Sequence, residues 1–177
     1  LVMLINLTDV FTSEGKVKKI GTAFEKEFFS CMGNEYPVED GTKVMLTLTN
    51  IGTGEVLIEG NLKAVLEIPC DRCLQSVRVP VTAEFTHRVI SPDQEKDTSS
   101  EEEEQNFISG YELDVDALVN NEILMNMPVK VLCREDCRGI CPVCGRNLNE
   151  GECGCDRFVP DPRMAAIKDI FNANKEV

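Results

Sequence analysis

Residues 62–89 read Leu62-Lys-Ala-Val-Leu-Glu-Ile-Pro-Cys70-Asp-Arg-Cys73-Leu-Gln-Ser-Val77-Arg-Val-Pro80-Val-Thr-Ala-Glu-Phe85-Thr-His87-Arg-Val89. Apolar residues alternate with polar ones on both sides of the cysteine pair. Leu62, Ala64, Leu66 and Ile68 precede it, and Val77, Val79, Val81, Ala83, Phe85 and Val89 follow. A period of two marks a strand with one wet face. Two such runs predict an antiparallel hairpin with Cys70 and Cys73 at its tip. Pro80 places the second run at a sheet edge or a kink, because proline has no N–H for a ladder. Upstream, residues 43–51 and 55–68 read as strands joined at Gly52-Thr53-Gly54, with Gly60-Asn61 expected to interrupt the second by a bulge or turn. The stretch around Phe24, Phe28 and Phe29 is apolar without an assignable period.

Eight of the nine cysteines form four close pairs: Cys70/Cys73, Cys133/Cys137, Cys141-Pro-Val-Cys144-Gly145 and Cys153-Gly-Cys155. A structural zinc takes four soft ligands in a tetrahedron, and thiolates suit it. Two residues between ligands let a tight turn aim both sulfurs at one ion. Pro142 fixes such a turn, and Gly145 can take the positive φ that follows. Eight thiolates fit two closed sites, two zinc ions that hold shape and leave no open position to activate water. Iron in rubredoxin-like knuckles, disulfides and free core thiols are the competing uses.

Four pairs combine into two sites in three ways. Only eight residues separate Cys144 from Cys153, a short loop to close, so these two pairs are expected to share an ion. Cys70/Cys73 then meet Cys133/Cys137. The single spacer of Cys153-Gly154-Cys155 implies a strained bite. Cys31 is left over and reads as a small buried hydrophobe.

Compartment weighs against disulfides. The N-terminal Leu1-Val-Met3-Leu-Ile-Asn-Leu7 has neither a basic n-region nor a small-residue cleavage site, so it does not read as a secretory signal. Met3 is expected to be the natural start, unless the ends were altered. No apolar run is long enough to span a bilayer. A cytoplasmic chain this rich in cysteine is expected to bind metal.

Charge is unevenly spread. The formal net charge is −13, and within residues 91–105 seven carboxylates face Lys96 alone, a local net of −6. Such a run cannot bury apolar surface and reads as a solvated, disordered linker. All eight arginines lie from Arg72 to Arg163, and Arg72, Arg134, Arg138 and Arg146 flank the cysteines. They either offset thiolate charge or form a phosphate-contacting face, and Arg72, Arg134, Arg138 and Arg146 are expected to be the residues that bind RNA or a partner. A zinc among four thiolates carries −2, so two such sites take the chain from −13 to about −17. That opposes tight, nonspecific RNA binding driven by charge.

Past the acidic run, residues 113–125 predict a helix starting near Asp114. Val115, Leu118, Val119, Glu122 and Met125 keep helical spacing, and Pro128 ends it. Met125 and Met127 are expected to fill core. Asp161-Pro162 reads as an N-cap and a first-turn proline, followed by a stripe of Met164, Ile167, Ile170 and Phe171. The fold class is α+β. An antiparallel β-rich part with a CxxC hairpin spans residues 1–90, an acidic linker 91–110, and helices with a zinc knuckle 111–177.

Catalysis finds no foothold. His87, the single histidine, shares the face of Phe85 and Val89 and is expected to be half-buried and hydrogen-bonded. A Ser-His-Asp or Cys-His arrangement could be built around it alone. No Walker loop or dinucleotide fingerprint occurs. Asp114 and Asp116 read as helix-start charges. The expectation is a protein that is not an enzyme and has no small-molecule substrate.

Several segments together resemble the YceD family, the large ribosomal RNA subunit accumulation proteins, in the cysteine-rich form similar to Gram-positive members. They are Cys70-Asp-Arg-Cys73-Leu74 opening a strand, a helix ending in Met127-Pro128, residues 132–148, Cys153-Gly-Cys155-Asp156 and Asp161-Pro162-Arg163. The resemblance covers residues 3–171 and is densest over 128–171. It implies a bacterial, cytoplasmic, non-catalytic factor needed for large-subunit ribosomal RNA to accumulate, with that RNA or a ribosomal protein as partner. Aromatics for base stacking near the arginines are few, Phe85 and Phe158. That thinness favours a partner protein, or RNA bound jointly with one. A zinc-stabilised protein-interaction adaptor unrelated to RNA is the alternative, and a redox-responsive zinc switch the third reading.

Overall fold

The hairpin of residues 55–90 is the spine of the molecule. In the computed structural model, which describes residues 3–24, 26–39, 42–93 and 106–156, eleven elements follow in chain order. They are β1 (Leu4–Asn6), α1 (Thr8–Phe11), β2 (Val17–Ala23), β3 (Phe28–Cys31), β4 (Asn34–Pro37), β5 (Lys43–Gly52), β6 (Glu55–Pro69), β7 (Ser76–Ile90), β8 (Ile108–Ser109), β9 (Glu112–Asp114) and α2 (Val115–Asn126). β6 and β7 pair without interruption from Glu55↔Ile90 to Pro69↔Ser76. β5 and β2 extend the antiparallel sheet in the order β2-β5-β6-β7. Pro80 therefore lies on an edge strand, where its missing N–H is tolerated.

Alternation decides which face is buried. Val56, Ile58, Leu62, Ala64, Leu66 and Ile68 of β6, with Val79, Val81, Ala83 and Val89 of β7, line the inner face. Val10 and Phe11 of α1, Phe29, Phe107, Leu113, and Leu118, Val119 and Ile123 of α2 cover it. Each large side chain so removed from water contributes about 1.5–3 kcal/mol. The parts on either side of the acidic stretch share this core and also a sheet, since β1 pairs with β9 (Ile5↔Leu113) and β9 with β8. Residues 94–105 of the acidic stretch, and the stripe beginning at Asp161-Pro162, lie outside the described residues.

The turn after β5 carries positive φ at Gly52, Thr53 and Gly54 (92°, 53° and 70°). Asn50 beside it is buried and fully used. Its Nδ2 donates to the Val10 and Phe11 carbonyls (2.7 and 3.1 Å), closing the end of α1, while its Oδ1 accepts from Gly52 N (2.8 Å). The unassigned phenylalanine stretch is a hairpin of β3 and β4, turning at Met32 and Gly33 with φ of 50° and 81°. Phe29 faces the core and Phe28 faces out. α2 starts where Asp114 Oδ1 accepts from Ala117 N (2.9 Å), and its backbone turns extended at Met127, before Pro128.

Two expectations are corrected. Met125 is 76% exposed, so only Met127 of that pair packs against the core; the apolar face of α2 turns through Ile123 instead. Gly60 causes no bulge. It pairs in register with Phe85 and Leu46, and an added Cβ would run into the Phe85 ring and come within 2.9 Å of Leu46 Cδ2. Glycine is there to seat an aromatic ring. Gly60→Val is expected to lower stability by about 1–3 kcal/mol through overpacking, seen as a lower urea midpoint at unchanged slope. A raised midpoint, which β propensity alone favours, would refute this packing account.

Candidate metal centre

β6 and β7 deliver Cys70 and Cys73 on the turn between them, and the two spacer residues grip the distant segment after α2. Asp71 N donates to Val131 O (2.8 Å), and Val131 N donates back to Asp71 Oδ2 (2.7 Å). Arg72 Nη1 donates to Cys137 O (2.8 Å), and Arg72 O accepts from Ile140 N (3.1 Å). Gly139, at φ 77°, lies so close to Arg72 that a Cβ would stand 3.1 Å from its carbonyl oxygen. These bonds bring Cys133 and Cys137 to the turn. Cys70 Sγ is 3.8 Å from Cys137 Sγ, and Cys73 Sγ is 3.5 Å from Cys133 Sγ. The four sulfurs lie within 4.8 Å of one another.

Cys141, Cys144, Cys153 and Cys155 form a second quartet, also within 4.8 Å. Its first turn repeats the hydrogen bonding of the Cys70 turn. Cys141 N donates to Arg146 O and Gly145 N to Cys141 O (both 2.8 Å), as Cys70 N does to Gln75 O (2.8 Å) and Leu74 N to Cys70 O (2.9 Å). The residue after the second cysteine has positive φ in both, Leu74 at 61° and Gly145 at 74°. Gly154, at φ 69°, lets a single spacer turn Cys153 and Cys155 the same way.

Each quartet suits a cation. A tetrahedron with bonds of about 2.3 Å sets its sulfurs about 3.8 Å apart, close to the separations above. Burial pushes the Cys70 thiol up, but the amides of Arg72, Cys133 and Cys73 outweigh it and bring it down to about 6. The Asn149 amide lowers Cys137 against the effect of burial. Cys133 goes the other way, pushed up to about 12 by burial and by the thiols of Cys73, Cys137 and Cys70. In the second quartet the Cys144 and Val143 amides lower Cys141 to about 6, while Cys144, Cys153 and burial raise Cys155 to about 12. The first thiolate in each group is welcomed and the last is resisted. A divalent ion at the centre reverses that resistance.

A family model for the large ribosomal RNA subunit accumulation protein YceD matches residues 58–171, a span that contains all eight paired cysteines. The chain belongs to the YceD family. It is similar to uncharacterized proteins of Mycobacterium tuberculosis and Mycobacterium bovis, 30% identical over 121 residues, covering 68% of this chain and 58% of theirs. It is also 22% identical over 186 residues to the chloroplastic large ribosomal RNA subunit accumulation protein YCED homolog 1 of Arabidopsis thaliana, covering 86% of this chain and 57% of that one. The chain thus spans less than two thirds of the relatives it matches. No solved structure matches it.

Three of the four arginines that flank the cysteines are engaged within this chain. Arg72 is committed to Cys137 O, Arg134 Nη2 donates to Asn149 Oδ1 (2.7 Å) and Nε lies 3.4 Å from Asp136, and Arg138 pairs with Glu152. Arg146 is exposed, and its guanidinium has no hydrogen-bond partner among the described residues. Arg157, Arg163 and Phe158 lie outside them. Phe85 is half-buried, with its ring over Gly60. His87 Nε2 is 2.7 Å from Glu122 Oε1, with Phe85 and Phe107 against its ring. Cys31 is half-buried at the end of β3. No helix among the described residues is long and apolar enough to cross a membrane.

Sequence reasoning passed over Asp71 and Asn149. Asp71 is visible only as a spacer. Asn149 donates from Nδ2 to Cys137 Sγ (3.3 Å), although it belongs to the segment that carries the other quartet. The run Asn147-Leu148-Asn149 offered one signal, since two asparagines in the loop between cysteine pairs are suited to side-chain turns.

Proposed function

We propose that this protein is a non-catalytic, cytoplasmic factor for the accumulation and maturation of large-subunit ribosomal RNA. Two zinc ions, each in one quartet, hold a surface that binds that RNA or a ribosomal protein. The observation that carries the reading is the meeting of two four-cysteine clusters inside the span shared with the YceD family. Four thiolates select zinc, with iron the less favoured occupant, and a closed site gives shape without reactivity. Leu74 and Val143, 65% and 56% exposed beside the cysteine turns, favour a protein as the immediate partner. So does a net charge of −13, which suits a basic partner better than bare RNA.

Affinity capture with the full chain at low salt, reading RNA and protein together, tests this. Large-subunit ribosomal RNA, with or without a ribosomal protein, is expected in the capture. Arg146→Ala is expected to leave fold and metal content intact while capture falls, and a phosphate contact made by Arg146 would reduce the salt slope by about 1. Non-ribosomal protein without RNA would instead support an adaptor role. Native mass spectrometry is expected to find two zinc ions per chain.

A further inference from the structure

Asn149 is the one described side chain of the 141–156 segment seen to reach a sulfur of the first quartet. Its amide is fixed at both ends. Nδ2 donates to Cys137 Sγ (3.3 Å), while Oδ1 accepts from Arg138 N (2.8 Å) and Arg134 Nη2 (2.7 Å). Its own N–H donates to Asn147 Oδ1 (3.0 Å), and the neighbouring Leu148 N donates to Gly139 O (2.9 Å). An isolated bridge joins Ile140 to Asn147. Asn149 therefore stands between the two cysteine clusters. It belongs to the chain that the second quartet folds and serves a ligand of the first.

We propose that Asn149 is a positioning residue that couples the two metal centres, so that loading the second strengthens the first. The inference rests on the metal reading proposed above. An amide N–H aimed at a thiolate stabilises charge on that sulfur and fixes its lone pairs, and outer partners of this kind are worth about 10–100-fold in metal affinity. Residues 144 and 153 flank Asn149, so its place depends on the loop closed by the second quartet. When that loop opens, the amide leaves Cys137. Linkage makes the effect mutual: losing the first metal weakens the second by the same factor.

The test uses the full chain loaded with cadmium-113, a thiolate-seeking stand-in with one resonance per site, assigned by the resonance that Cys73→Ser removes. Competition with a chelator then measures each site separately. Asn149→Ala is expected to weaken the first site by about 10–100-fold, and the second by the same factor when the first is loaded. Asn149→Asp keeps the oxygen that Arg134 Nη2 and the Arg138 backbone N–H donate to, but turns an oxygen toward the sulfur. It is expected to bind the first metal no better than Asn149→Ala. Recovery in Asn149→Asp would reduce Asn149 to a structural clamp and overturn the proposal. Cys144→Ser is expected to weaken the first site by the same factor as Asn149→Ala, with no further loss when the two are combined. Additive losses, or a first site indifferent to Cys144→Ser, overturn the coupling alone. A chain that binds neither cadmium nor zinc overturns the metal reading with it.

Discussion

A chain stripped of metal by a chelator is expected to keep its four-stranded sheet and lose the structure of residues 132–156. Outside the cysteines, Leu148 is the one fully buried apolar side chain described in that segment. Burying one leucine contributes about 1.5–3 kcal/mol, whereas fixing the backbone costs about 1–2 kcal/mol for every residue ordered. Apolar burial alone cannot hold the segment, and the free energy of metal binding would supply what is missing. The sheet is different. Leu46, Leu48, Ile58, Leu62 and Leu66 are buried whatever happens at the hairpin tip. Hydrogen exchange on the full chain, before and after chelation, reads both parts at once. Amides of β5, β6 and β7 should stay slow while those of 132–156 approach the rates of an unfolded peptide. Persistent protection in 132–156 would mean that the cysteines close without metal.

The legible parts of the fold were those where one residue type answers one physical demand. Alternation from Leu62 to Val89 gave both long strands and their buried faces, because β6 and β7 are amphipathic along their whole length. Asp114 and Pro128 bracketed α2 because caps act through local geometry. Gly60 misled for the same reason that it matters. A glycine in a strand signals either a bulge or a close approach, and only the ring of Phe85 across the ladder decides between them. The N-terminal elements were illegible because β1 is three residues long and finds its partner, β9, more than a hundred residues later. No local period can report such a pairing.

At the candidate site, spacing carried the cysteine groups but not what joins them. The eight-residue separation of Cys144 and Cys153 and the pairs left over pointed to the two quartets that the structure brings together. Gly145 was legible as a positive-φ residue, while Leu74 in the equivalent place was not, since leucine rarely accepts that conformation. The arginines looked interchangeable in sequence. Three of them turn out to bond within the cysteine segments, which separates Arg146 from the rest. The asparagine run hinted at a side-chain turn but not at what Asn149 serves, because its role depends on a sulfur twelve positions away across a folded loop.

Breaking one ligand in each quartet should have unequal consequences. Cys73→Ser is expected to free residues 131–140 from the hairpin tip, drop the metal count from two to one, and lower the stability of the whole chain. The first quartet ties positions 60 residues apart, as from Cys73 to Cys133. By the chain-entropy relation a link over about 60 residues is worth about 4 kcal/mol, against about 2.5 kcal/mol for one over about nine. Cys144 and Cys153 are separated by such a short loop, so Cys144→Ser removes the smaller constraint and unravels a segment with no core of its own. Its strands should melt close to the wild-type midpoint, lower only by what the first site loses through Asn149. In Cys73→Ser the second quartet keeps all four of its thiolates and should remain metallated, though more weakly. Thermal unfolding with native mass spectrometry on both variants distinguishes these outcomes. Equal midpoints with equal exchange patterns would mean that the eight thiolates act as one shared cluster, and the division into a bridging site and a local one would fall.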